Sequence, residues 1–144
     1  MWGYILALIS GALMSVQGVF NSEVTKETNV WIAAAFVQFS AFIVCTAAWF
    51  MTGRGSSIAA LFHISQKYML LGGIMGAFIT YTVIQSVNNL GPAKSVMFIL
   101  ISQLLIAYLI ELFGLFGIQK VDFEWRKVVG MLLIIGGVIA FKWE

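Results

Sequence analysis

Five long apolar segments, separated by short polar stretches, occupy nearly the whole chain. A helix needs about 20 residues to cross the ~30 Å hydrocarbon core of a bilayer, and each segment with its flanks reaches that length. The pattern therefore predicts an all-α membrane protein with five transmembrane helices in a single transmembrane domain, residues 1–144. The predicted spans are residues 3–20, 30–51, 68–87, 93–113 and 126–142. Because five is odd, the two termini are expected on opposite sides of the membrane.

Composition favours the same class of protein. Of the 144 residues, 61% are hydrophobic and only 10% are charged, whereas a soluble domain carries about 25% charged residues. The formal net charge of +2 is too small to indicate a nucleic-acid partner. The first segment lacks the preceding basic residue and the following small-residue cleavage pattern of a signal peptide, so we interpret it as a permanent span.

Metal binding and enzymatic catalysis are not expected from this sequence. The chain has one histidine, His63, and one cysteine, Cys45, whereas a protein metal site needs a cluster of ligands. The predicted spans also contain no Ser/His pair and no paired carboxylates. We therefore expect no enzyme activity, no metal and no cofactor. The lipid bilayer and a small-molecule substrate are the expected partners.

Polar side chains within the spans are the main candidates for function, because each costs free energy in lipid unless it faces protein or water. Four of the five spans carry a carboxamide. A single carboxamide in a membrane often serves only to join helices and contributes about 1 kcal/mol. Several together favour a shared cavity. The predicted substrate pathway comprises Gln17, Asn21, Gln38, Tyr81, Gln85 and Gln103.

Glu111 is the only acidic residue within an apolar segment. If the fourth helix ends near Leu112, this carboxylate is an interfacial anchor. If the helix continues through Gly114 to Ile118, the carboxylate lies about 10 Å inside the membrane, at ~1.5 Å per residue. A carboxylate at that depth could hold a proton and a cationic substrate in turn. Glu111 is therefore the candidate for proton coupling.

Small residues mark places where helices can approach closely. The third span has two adjacent glycines near its start and another glycine one turn later. The fifth span contains a Gly-Gly pair. Glycines at such spacings allow tight contact between helix backbones in membranes. The predicted helix-packing positions are Gly72, Gly73, Gly76, Gly136 and Gly137.

A series of short motifs resembles the YdcZ branch of the drug/metabolite transporter (DMT) superfamily. The motifs run in order along essentially the whole chain. They are Gln17-x-x-x-Asn21, Gly72-Gly73-x-x-Gly76-Ala77, Leu90-Gly91-Pro92-Ala93, Ser102-Gln103-Leu104, Glu111-Leu112-Phe113-Gly114 and Gly136-Gly137. Members of this branch usually have Asp where this chain has Glu111, so the carboxylate here reaches one methylene further.

The resemblance implies a multi-pass protein of the bacterial inner membrane, related to ten-helix metabolite exporters. One five-helix chain would be half of that architecture, completed by an antiparallel second copy or by an oppositely oriented paralogue. The implied function is secondary transport of small organic solutes, or of amphipathic or cationic compounds, by alternating access in an inverted dimer. Proton coupling would fall to Glu111. Tyr81 and Tyr108 would favour cationic ligands by cation–π contact.

A second hypothesis belongs to a different class of protein. The chain could be a non-transporting membrane subunit that assembles with, or regulates, a larger membrane complex. Its polar side chains would then join helices, and its glycines would form a docking face. Convergence of the polar faces of different helices favours the transporter.

The basic residues give a small bias in orientation. Five of the eight lie on the side of the N-terminus, and three lie on the other side. An excess of Lys and Arg marks the cytoplasmic side of a membrane protein. The N-terminus is therefore expected in the cytoplasm, or else the chain inserts in both orientations.

An antiparallel homodimer requires insertion in both orientations. Single cysteines near Lys67 and near Lys94, in a Cys45→Ala background, should then each be labelled in part by an impermeant maleimide added from outside. Labelling on one side only would contradict the homodimer and would indicate an oppositely oriented paralogue or an unrelated partner.

Overall fold

A computed structural model describes residues 1–53, 55 and 58–142, so Arg54, which contributes to the charge count above, lies outside it. Within these residues the protein is entirely helical, with five α-helices, three short 3₁₀ helices and no strand. The α-helices are α1 (Trp2–Glu27), α2 (Val30–Met51), α3 (Gly72–Leu90), α4 (Pro92–Phe113) and α5 (Trp125–Lys142). The predicted all-α membrane class and the five helices are confirmed.

Four segments of the described chain are long and apolar enough to cross a membrane: α1, α2, Lys67–Leu90 and α4. In their apolar stretches at most 11% of the residues are buried within the chain. Their hydrophobic side chains therefore face outward, as expected where lipid replaces water as the solvent. The fifth helix, α5, is 18 residues long and carries Arg126, Lys127 and Lys142 near its two ends.

The first helix continues past the predicted span, through a polar last turn to Glu27. The charges of this turn are paired along the helix, because Lys26 Nζ lies 2.7 Å from Glu23 Oε1. The link to α2 is then only two residues long. Asn29 begins α2, and its Oδ1 accepts a hydrogen bond of 2.9 Å from the backbone N–H of Ile32. This cap satisfies one of the unpaired donors of a helix start.

The helices group into two compact units. The first, Met1–Asn89, contains α1, α2 and α3, and the second begins at Leu90 and contains α4 and α5. In the first unit, α1 and α3 approach at Gly18, where an added Cβ would lie 3.6 Å from Val83 and 3.7 Å from Val87. Ile84 and Val87 of α3 are buried in the small core of this unit. The single transmembrane domain expected from the sequence stays a prediction.

Gly114 ends α4. Its backbone lies in the left-handed region, at φ 65° and ψ 37°, and its N–H returns to the carbonyls of Ile110 and Glu111. A glycine in this conformation is a common helix terminator, because it has no Cβ to clash with the backbone. Of the two alternatives for the fourth helix, the structure therefore has the shorter one. Glu111 lies in the last turn of α4.

Replacement of Gly114 by alanine should lower the melting temperature. Alanine at this φ is strained by roughly 1 kcal/mol, and its Cβ would meet Lys120 Cβ at 3.2 Å and the Ile118 carbonyl oxygen at 3.4 Å. Thermal unfolding in detergent, followed by circular dichroism, measures the effect. The control is Gly130→Ala in α5, where the new Cβ would meet no atom of the described chain within 4 Å beyond its own helix. Equal losses in both variants would contradict the terminator role of Gly114.

Candidate functional site

A groove of about 840 Å³ runs along α1 and α2 in the first unit. Ser10, Gln17 and Asn21 of α1 form part of its wall, together with Ser40 and Cys45 of α2. The remaining wall residues are apolar: Leu6, Ile9, Leu13, Met14, Val16, Phe20, Val37, Ala41 and Val44. Small-molecule sites have volumes of about 300–1,000 Å³ and mostly apolar walls with a few polar groups. The groove shares the mostly apolar wall with a few polar groups, but it is open along the two helices and does not enclose a cavity.

The polar wall of the groove follows from helix periodicity. Ser10 and Gln17 are seven residues apart, or two turns, and Asn21 follows one turn later, so the three side chains share one face of α1. Gln17 is exposed, whereas only 7% of Asn21 is exposed. The groove therefore combines an accessible carboxamide with a buried one.

Outside the groove, a polar contact joins α1 to α3 near the C-terminal end of each helix. Asn88 Oδ1 accepts a hydrogen bond from the Ser22 hydroxyl, and Asn88 Nδ2 donates to Thr25 Oγ1 at 3.2 Å. Sequence reasoning missed Ser22 and Thr25, because both follow the apolar part of the first span. Their three-residue spacing, which continues the helix beyond Asn21, was the available signal.

Three predicted pathway residues, Gln38 of α2 and Tyr81 and Gln85 of α3, are not part of the groove wall. Tyr81 stacks on Trp31, with ring centroids 4.7 Å apart and an angle of 19° between the planes. Gln85 Nε2 lies 3.5 Å from the Tyr81 hydroxyl, a long hydrogen bond. Gln38 Nε2 lies 3.1 Å from the point that a Cβ would occupy if Gly76 had a side chain. These side chains pack helices within the first unit, and their contact with substrate stays a prediction.

The predicted packing glycines have different surroundings. Gly76 allows Gln38 of α2 to approach closely. At Gly72, Gly73, Gly136 and Gly137, an added Cβ would meet no atom of the described chain within 4 Å beyond its own helix. Close packing at these four positions stays a prediction, and it would need atoms from outside the described chain.

The last two candidates, Gln103 and Glu111, lie on α4 in the second unit. Gln103 is exposed, and 48% of the Glu111 side chain is exposed. Glu111 Oε2 lies 3.9 Å from Lys127 Nζ of α5. Lys127 Nζ also lies 3.6 Å from Glu124 Oε1 and 5.6 Å from the ring centre of Tyr108. We call these four residues, Tyr108, Glu111, Glu124 and Lys127, the ammonium cluster.

The backbone around the ammonium cluster is held by hydrogen bonds to α4. Tyr108, of which only 8% is exposed, accepts a hydrogen bond of 3.2 Å at its hydroxyl from the Glu124 backbone N–H. The Glu111 carbonyl accepts one of 3.0 Å from the N–H of Val121. Both bonds fix the loop before α5 against the last two turns of α4. Sequence reasoning missed Glu124, and it used Lys127 only as a marker of orientation.

Comparison with known proteins gives the family of the chain. A family model described as "Putative inner membrane exporter, YdcZ" matches residues 2–140. The chain belongs to the DMT_YdcZ family. No curated protein and no solved structure matches it.

Membership of the DMT_YdcZ family confirms the resemblance seen in the sequence motifs. With its several apolar helices, the protein is a multi-pass protein of the inner membrane. The family description also indicates a transporter and not an enzyme. The groove of α1 and α2 and the ammonium cluster are thus two polar features of an exporter-family protein.

Replacement of Asn88 by alanine should destabilise the first unit, because it removes the hydrogen bonds from α3 to Ser22 and Thr25. We expect a loss of about 1 kcal/mol, the usual size of such a contact between membrane helices. Unfolding in mixed detergent measures it. The control is Asn89→Ala, because Asn89 donates to the Gln85 carbonyl of its own helix. Equal stability of Asn88→Ala and wild type would contradict the joining role.

Proposed function

We propose that this protein is a secondary exporter of small organic solutes, including amphipathic or cationic compounds. The groove with Gln17 and Asn21 in its wall is the observation that carries the proposal. Carboxamides in a membrane helix are expensive unless they contact protein, water or solute. The exposed Gln17, in a chain of an exporter family, is best explained as a contact to a polar part of the transported molecule, with the buried Asn21 beside it on the same helix face.

Alternating access in an inverted dimer is the proposed mechanism. The groove is open along the side of α1 and α2, so one chain supplies one wall of a pathway. A second copy of opposite orientation would supply the other wall, related by a two-fold axis in the membrane plane. This is the symmetry on which many secondary transporters rely to expose a site to either side in turn. An oppositely oriented paralogue would serve equally well.

Glu111 is the proposed site of proton coupling. Its carboxylate lies in the last turn of α4 and is half-exposed. Protonation would remove its attraction for Lys127, which lies 3.9 Å away. The charge state of the carboxylate would thereby change the contacts between α4 and α5. Such a local change of charge is one way in which a bound proton biases two conformations.

Liposomes with an imposed pH gradient test the transport function. Purified protein should drive gradient-dependent movement of a fluorescent organic cation such as ethidium, and Glu111→Gln should remove the dependence on the gradient. Gln17→Leu should raise the apparent KM about tenfold or more, because an unpaired polar partner costs ~1–3 kcal/mol. The control is Glu27→Gln, which alters an exposed carboxylate at the end of α1.

Gradient-dependent transport that persists in Glu111→Gln would end the coupling role of this residue. If folded wild-type protein moves no solute but copurifies with a second, unrelated membrane protein, the exporter proposal fails. The non-transporting subunit would then be the better hypothesis.

A further inference from the structure

The ammonium cluster has the composition of a binding site for an organic ammonium ion. The ring of Tyr108 faces the cation at 5.6 Å, within the usual range of a cation–π contact. The carboxylates of Glu111 and Glu124 flank the same nitrogen at 3.9 Å and 3.6 Å. An aromatic face with two carboxylates is how proteins bind amines. The ammonium present in the structure belongs to the protein's own Lys127.

Lys127 is held loosely in this site. Strong charge-assisted hydrogen bonds between ammonium and carboxylate are about 2.7–2.9 Å long. The Lys26–Glu23 pair of this chain reaches 2.7 Å, but neither contact of Lys127 does. All three side chains are also at least one-third exposed. Exposed pairs of this kind contribute about 1 kcal/mol or less, so a second ammonium could displace the lysine at little cost.

An apolar pocket of about 200 Å³ continues the same seam between α4 and α5. Its wall is Ile101, Leu104, Leu105, Val128, Met131, Leu132, Ile134 and Ile135. Leu104 lies one turn before Tyr108, and Val128 directly follows Lys127. Leu104 and Glu111 are about 10 Å apart along α4, at ~1.5 Å per residue. Since an apolar cavity of about 150 Å³ accepts benzene, this pocket can hold part of a hydrocarbon chain.

We propose that the second unit binds an amphipathic organic amine whose ammonium replaces that of Lys127 in the ammonium cluster. The hydrocarbon tail of the amine occupies the apolar pocket between α4 and α5. Lys127 is thus a tethered competitor that the ligand must displace. The inference adds a binding site for one of the compound classes named for the proposed exporter. It rests on that proposed function only for the role of the site in transport, because binding is measurable without transport.

Removal of the lysine ammonium is the first test. Binding of octylammonium to purified protein in nanodiscs of zwitterionic lipid is measured by titration calorimetry. Lys127→Met keeps the apolar stem and removes the competitor. We expect its affinity for octylammonium to be about fivefold higher than that of wild type, the equivalent of ~1 kcal/mol for an exposed ion pair. Added Glu111→Gln and Glu124→Gln substitutions should abolish this gain. Unchanged or weaker binding by Lys127→Met would overturn the proposal.

Tail length is the second test, in the Lys127→Met background. Affinity should rise by about fourfold per methylene from butyl- to octylammonium as the tail becomes buried. Leu104→Trp, which fills the pocket, should reduce the length dependence to that of protein-free nanodiscs. The matched control is Leu133→Trp, because Leu133 lies on α5 outside the pocket and is 71% exposed. If Leu104→Trp does not fold, Met131→Ala should instead shift the optimum to longer tails.

The outcomes separate this site from the exporter proposal. Length dependence that is identical in the Leu104 and Leu133 variants would mean that the amine partitions into lipid only, and the site would be refuted. Expected binding without transport in liposomes would support the site and refute the exporter. If the protein transports ethidium but neither wild type nor Lys127→Met binds octylammonium, the exporter would be supported and the site refuted.

Discussion

A hydrocarbon interior offers no hydrogen-bond partners, so each polar atom placed there must find one in the protein. Helices satisfy the backbone, and most hydroxyls within them are satisfied in the same way. Ser15, Ser40, Thr46, Thr80, Thr82 and Ser102 each donate to a carbonyl in the preceding turn. Among the described residues, Ser95 has a fully buried hydroxyl with no partner. A carboxamide or carboxylate has more polar atoms than one such bond can satisfy, as in Asn89, where only the amide nitrogen donates to the Gln85 carbonyl, and the remaining atoms make these groups the candidates for contact with solutes.

The helices could be predicted from the sequence because apolar length alone determines them, but their ends could not. The first helix continues to Glu27, and Ser22 and Thr25 in its last turns bond to Asn88, a residue more than sixty positions away. The end of α4 depends on the positive φ of Gly114. Glycine occurs both inside membrane helices and at helix ends, so the sequence left the position of Glu111 open between two alternatives.

Sequence spacing alone places Gln17 and Asn21 on one helix face, since both lie on α1. Spacing could not show which residues of different helices lie close to one another. The contact of α2 with α3 is tertiary and is seen where Trp31 stacks on Tyr81. Tyr81 lies at that contact, and neither Tyr81 nor Gln85 is part of the groove wall. The pair of Glu124 and Lys127 was visible as neighbours on one turn. Its meeting with Glu111 depends on the path of the loop, which the Tyr108 hydroxyl and the Glu111 carbonyl fix.

The lysine in the ammonium cluster also affects which molecules could use such a site. A side chain tethered by a flexible stem is present at its own binding site at an effective concentration of roughly millimolar or above, however little protein the membrane contains. A small amine would then need about a fivefold higher concentration to occupy the site than it would without the lysine, because an exposed ion pair contributes about 1 kcal/mol. A molecule with a hydrocarbon tail gains additional free energy from the neighbouring pocket, which offsets this increase. The protein's own side chain would thus raise the concentration at which any amine occupies the site, and the site would prefer amines with a tail without any steric barrier.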